Sequence, residues 1–106
     1  MIIYVDIDET ICYHEDDDIT KAREYENAKP YTERIEKINS LYDEGNTIVY
    51  WTARGSVTGL DWTDLTKMQL EKWGAKHHKL ILGKPYYDLF IDDKNINSED
   101  FFKIKK

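Results

Sequence analysis

A single cysteine, Cys12, leaves no internal disulfide to form, and the chain reads as a cytoplasmic, soluble protein. Two prolines and five glycines are too few for a fibrous or low-complexity chain. There is no long hydrophobic run, and the N-terminus enters a strand-like segment without a basic stretch, so neither a membrane span nor a leader is expected. Positive charge is also scarce. Fifteen Lys plus Arg stand against 21 Asp plus Glu, a net charge of −6, which provides no basic footprint for nucleic acid or an anionic membrane. What remains is 106 residues, 41% of them hydrophobic, enough for one globular domain over residues 1–106 with a single core.

Four short apolar runs rich in β-branched and aromatic residues read as strands: 1–7 (MIIYVDI), 47–53 (TIVYWTA), 79–82 (KLIL) and 88–91 (DLFI). Between the first two, Tyr31, Ile35, Ile38, Leu41 and Tyr42 recur at helical spacing, with Pro30 at a helix start and Gly45 at a helix end. Between the second and third, Asp61 can cap a helix that carries Trp62, Leu65, Met68, Leu70 and Trp73 and stops at Gly74. Ser98 can cap a short closing helix at Phe101 and Phe102. Strands alternating with helices predict an α/β fold, a mainly parallel, three-layer Rossmann-like sheet. Residues 10–29 do not fit this pattern. They are poor in apolar side chains, hold the acidic run Glu15, Asp16, Asp17 and Asp18, and read as a flap-like loop outside the core.

In open α/β sheets ligands bind beyond the carboxyl ends of the strands. Here those ends carry Asp6-Ile7-Asp8-Glu9-Thr10, Thr52-Ala53-Arg54-Gly55, Gly83-Lys84-Pro85 and Asp92-Asp93-Lys94. Asp6 and Asp8, two apart on an extended chain, direct their carboxylates to one side. With Asp92 and Asp93 nearby, three or four negative charges crowd together and call for a cation, for which Mg²⁺ with oxygen ligands is the natural candidate. Such a site suits a phosphoryl group. Asp6 can attack phosphorus to give an aspartyl-phosphate, and Asp8 can protonate the leaving oxygen and later deprotonate water. Each motif is weak alone: an Asp-x-Asp triplet is common on acidic surfaces, Thr52 can be a strand-end hydroxyl bonded to backbone, and Lys84 a solvated lysine. Their coincidence at one edge carries the weight.

The ordered series Asp6-Ile7-Asp8-Glu9-Thr10, Thr52, Lys84 and Asp92-Asp93 resembles the four motifs of the haloacid dehalogenase superfamily, and the match spans nearly the whole chain. The stretches Y-W-T-A-R-G and G-K-P-Y-Y-D-L-F-I-D-D-K are similar to small capless bacterial capsule-biosynthesis phosphatases. The resemblance implies a Rossmann-like core, Mg²⁺ dependence and phosphomonoester hydrolysis of a sugar phosphate or other small phosphorylated metabolite. It implies Asp6 as nucleophile and metal ligand, and Asp8 as acid/base that lends its backbone carbonyl to the metal. Thr52 and Lys84 would hold the transferring group, and Asp92 and Asp93 would complete the metal site. With Ala53 and Arg54, Thr52 and Lys84 form the candidate substrate-binding set. Glu9 departs from the glycine often found at that position. No cap domain can be built from residues 10–29 and 55–60, so the resemblance implies an open site that either admits large substrates or is closed by a partner subunit in a homo-oligomer.

Arg54 either reaches a substrate oxyanion or is an exposed or loop-bonded arginine. His77 and His78 lack ligand-spaced partners, His14 is a candidate for the site's entrance, and Cys12 reads as structural. Tyr13, Tyr25, Tyr86 and Tyr87 flank the site and can stack on a sugar or base. Trp51 should pack beneath a helix, and Lys103, Lys105 and Lys106 read as a frayed end. Two alternatives use the same residues. One is a nucleotide or nucleic-acid 3′-phosphatase of the same superfamily, long nucleic acids being disfavoured by charge. The other is a phosphoryl-accepting receiver domain, which chain order disfavours because an acidic pair follows the lysine.

Overall fold

The computed structural model describes residues 1–15 and 25–103. Asp16, Asp17 and Asp18 of the acidic run, and Lys105 and Lys106, lie outside the described residues. The sheet contains β1 (Ile2–Val5), β4 (Thr47–Thr52) and β5 (Lys79–Leu82), in the order β1-β4-β5, all parallel. A short antiparallel pair, β2 (Cys12–Tyr13) and β3 (Lys29–Pro30), stands apart from it. The helices are α1 (Thr32–Asp43), α2 (Thr63–Lys72) and α3 (Ser98–Lys103).

Alternation along the strands decides what each face meets. Ile3 pairs with Ile48, Val5 with Tyr50 and Tyr50 with Leu80, so these side chains share one face. They join Ile7, Ile35 and Ile38 of α1, Leu70 of α2, and Phe101 and Phe102 of α3 in one cluster. Ile35 and Ile38 are buried and Leu41 and Tyr42 pack against them, the three- and four-residue spacing read in the sequence. After α1, Gly45 at φ +99° and Asn46 return their N–H groups to Tyr42 and Leu41 carbonyls, which ends the helix where it was expected to end. Asp61 Oδ1 accepts the Thr63 N–H at 2.9 Å and starts α2, and Gly74 at φ +69° follows its close. At α3 it is Asn97 that accepts the Glu99 N–H, while Ser98 is already helical and Lys103 is the helix's last residue instead of a frayed end.

Three expectations are corrected. First, residues 88–91 are not a strand. Leu89 is 75% and Ile91 87% exposed, and the sheet ends at β1 on one side and β5 on the other. A four-residue apolar run becomes a strand only where a neighbour accepts its backbone hydrogen bonds, and local composition does not name that neighbour. Second, residues 10–29 are partly core. The chain folds back at once, with Thr10 and Ile11 N–H groups donating to the Ile7 carbonyl, and this buries Ile11 and Cys12 completely. Third, Trp51 lies on the sheet face opposite Ile48 and Tyr50, whose cluster is the one joined by side chains of α1, α2 and α3. Trp51 instead meets Tyr4 edge-on, at 5.8 Å between ring centroids. No helix among the described residues is long and apolar enough to cross a membrane.

Candidate functional site

The parallel register sets the site. Thr52, the last residue of β4, pairs with Leu82, the last of β5, so Gly83 and Lys84 leave the sheet beside it and the Lys84 N–H donates to the Thr52 carbonyl at 3.1 Å. Ser56 Oγ donates to the Lys84 carbonyl at 2.7 Å and fixes the lysine backbone from the following loop. The Lys84 ammonium sits 5.5 Å from the Trp51 ring centre, 5.3 Å from that of Tyr87, and 3.7 Å from Asp6 Oδ2. Asp6 Oδ1 accepts the Ile7 N–H at 2.8 Å. Burial pushes the Asp6 carboxyl above the ordinary carboxylate range, against the opposing pull of Lys84 and the Ile7 N–H.

Asp8 lies in different surroundings. Arg54 grips its carboxylate in a fork, Nε to Oδ2 at 3.0 Å and an Nη to Oδ1 at 2.9 Å. His14 Nε2 lies 2.9 Å from Oδ1 and, facing an ionised carboxylate, is the donor. Cys12 Sγ donates to the same oxygen at 3.4 Å. Burial opposes the charged form here too, but the hydrogen bonds from His14 and Arg54, with their charges, hold the Asp8 carboxyl far below its usual range. Burial and the Asp8 charge push the Cys12 thiol up, which disfavours its thiolate.

The turn after Asp8 requires an uncommon backbone. Glu9 has φ +62° and donates its N–H to the Cys12 carbonyl at 3.0 Å. Glycine adopts that region without steric cost, which gives a physical reason for a glycine there. Gly55, after Arg54, is under a harder constraint. It has φ +82°, and a Cβ would lie 2.1 Å from the Leu60 carbonyl oxygen. The Ala53 carbonyl accepts the Ser56 N–H at 2.9 Å within the same turn.

Of the residues singled out in the sequence, Asp6, Asp8, Thr52, Ala53, Arg54 and Lys84 gather at the carboxyl ends of β1, β4 and β5. Thr52 is buried and its Oγ1 accepts the Arg54 N–H at 3.1 Å, the backbone-bonded hydroxyl weighed as the plain reading. Arg54 is buried, and its guanidinium is bonded to Asp8. Asp92 and Asp93 are exposed. Asp92 raises the Asp93 carboxyl through a shared hydrogen bond and its charge, and no hydrogen bond or ion pair among the described residues joins either to Asp6 or Asp8. No fourth strand of the sheet among the described residues carries them to that edge. His14, expected at most at the site's entrance, bonds Asp8 directly, and Thr66 and Gln69 were not seen as site residues in the sequence. The available signal was on α2, where Thr66 and Gln69 share the inward stripe with Leu70, polar groups where the periodicity calls for apolar ones.

Asp8, Cys12 and His14 bring an oxygen, a sulfur and a nitrogen within 4.8 Å, donors of the kind a zinc ion accepts. The Arg54 guanidinium touches two of the three and opposes a cation there. A groove of about 730 Å³ between α1 and α3 is lined by Arg34, Lys37, Glu99 and Phe102 among others, with Arg34 paired to Glu99 at 3.0 Å.

A crystal structure of a protein from Vibrio cholerae superposes on this chain with a TM-score of 0.81 at 22% identity, covering 98% of this chain and 89% of that one. The two share a fold. No protein-family model and no curated protein matches the chain. It is a small α/β domain built on a parallel sheet.

Proposed function

We propose that this protein is a phosphatase that hydrolyses small phosphomonoesters through an aspartyl-phosphate on Asp6. The observation that carries the reading is the Asp6 carboxylate facing the Lys84 ammonium at 3.7 Å, at the carboxyl edge of a parallel sheet. An Asp6 oxygen forms the new bond to phosphorus as the ester P–O bond breaks, and the alcohol leaves with a proton. Water then attacks phosphorus, inorganic phosphate departs and the free carboxylate returns. Lys84 pairs with the phosphoryl oxygens, and its backbone tie to Thr52 holds it in place. Asp8 serves the proton transfers, and a dianionic phosphate entering beside it favours the protonated form that its resting partners oppose. The order of the motifs supports a haloacid-dehalogenase-like core as part of the same reading.

Among the described residues Asp6 Oδ2 has the long Lys84 contact and no hydrogen bond, so it fits a hard cation, and neither Asp92 nor Asp93 is bonded to it. Mg²⁺ commonly binds through one or two carboxylates and substrate oxygens, with waters retained. When bound, it would supply positive charge against the carboxylate and phosphate. The net charge of −6 favours small substrates over nucleic acid. The test is phosphate release from sugar phosphates, nucleotides and phospho-amino acids with Mg²⁺, with EDTA controls. We expect turnover that Asp6→Asn lowers on the order of 10⁴-fold. An active Asp6→Asn protein would overturn the assignment.

A further inference from the structure

We propose that Arg54 is a positioning residue for Asp8 and does not bind the substrate phosphate. The inference rests on the phosphatase reading and concerns how that site is held together. A guanidinium has five N–H donors in a fixed fork. In this structure all five are engaged. Nε donates to Asp8 Oδ2 at 3.0 Å, and one terminal nitrogen donates to Asp8 Oδ1 at 2.9 Å and to Cys12 Sγ at 3.9 Å. The other terminal nitrogen donates to Thr66 Oγ1 at 3.1 Å and to Gln69 Oε1 at 2.5 Å. The side chain is fully buried, and the Tyr25 ring lies 4.7 Å from the guanidinium carbon. A phosphate could gain an Arg54 contact only by displacing one of these partners.

The groups behind Arg54 are fixed in turn. Thr66 Oγ1 donates to the Trp62 carbonyl at 2.7 Å, and Gln69 Nε2 donates to the Tyr25 carbonyl at 2.6 Å. Thr66 and Gln69 are buried, so an unmet hydrogen bond at either would be costly, and the set is bound as a unit. The orientation of the Asp8 carboxylate is thereby set by α2, through Arg54. Gln69 is the informative residue because it reaches Asp8 through Arg54.

The experiment compares wild type, Arg54→Lys and Gln69→Leu in Mg²⁺. It measures kcat and KM on a generic phosphomonoester, binding of inorganic phosphate by calorimetry, and the thermal midpoint, with kinetics run well below it. A positioning role predicts that kcat falls about 10- to 100-fold in both variants, as misplacement of an acid/base group does. KM and the phosphate dissociation constant should stay within about threefold of wild type, since no phosphate ligand is removed. A loss of phosphate affinity of about tenfold or more in Arg54→Lys, with kcat retained, would make Arg54 a phosphate ligand and overturn the proposal. A lowered midpoint with kcat unchanged in Gln69→Leu would reduce the cluster to a structural knot and overturn it as well. Should Arg54→Lys fail to fold, Gln69→Leu decides alone. A wild type with no turnover on any substrate would sink the phosphatase reading and this inference with it, whereas an active wild type with either adverse outcome sinks the inference alone.

Discussion

Asp6 and Asp8 stand two residues apart at the end of the same strand, and both lose solvent on folding, yet their carboxyls move in opposite directions. Among the described residues Asp6 has one backbone N–H and a lysine at 3.7 Å, too little to offset burial, and its carboxyl rises. Asp8 has a bidentate arginine and a histidine, and its carboxyl falls. The difference lies in the number and geometry of donors, since each full hydrogen bond to a charged group favours ionisation more than a distant charge does. A loosely satisfied carboxylate is open to a reaction partner. A saturated one is anchored.

The contrast is sharpest when each acid is removed in turn. Asp6→Asn should abolish turnover with a thermal midpoint no lower than wild type, because it deletes a desolvated charge and little else. Asp8→Ala should lower stability by about 3–5 kcal/mol in chemical denaturation, because it leaves the Arg54 guanidinium buried without its counter-charge. Equal midpoints for the two variants would remove the distinction between them.

Acidification separates the pair without mutation. Asp6 has a raised folded pKa, so its contribution to stability is present below the unfolded value of about 3.9 and is lost as pH rises through the folded value. Asp8 has a lowered folded pKa, so its contribution is present above about 3.9 and is lost as pH falls toward the folded value. Stability measured downward from neutrality should therefore gain from Asp6 first and lose from Asp8 below about pH 4. Asp6→Asn should remove the first limb and Asp8→Asn the second, in urea midpoints taken across pH. The smallest effect lies at the turn joining the two environments. Glu9→Gly relieves a left-handed backbone at φ +62° and should raise stability by about 1 kcal/mol, read as a higher thermal midpoint.

Much of the architecture was legible in the chain. The three strands of the sheet, both long helices and the Gly45 and Gly74 stops follow from local periodicity and backbone preference, which short windows of sequence carry. The gathering of Asp6, Thr52 and Lys84 at one edge followed from the same pattern, because parallel strands present their carboxyl ends together. The run at 88–91 failed because its strand character depends on a partner that the run cannot specify. Ile11 and Cys12 were assigned to a flap because their neighbours are polar, although the backbone turns them inward within one turn of Ile7.

Sequence by itself determined the three strands of the sheet, the two long helices and the arrival of Asp6, Thr52 and Lys84 at one edge, since spacing along a strand or helix sets where each residue points. The tertiary structure alone decided which of those side chains are held and which are left open. Arg54 meets Asp8 across 46 positions and Gln69 across 15, and contacts of that separation exist only once the sheet and α2 have packed together. Burial then makes each of those hydrogen bonds matter, because water is no longer present to take the place of a missing partner.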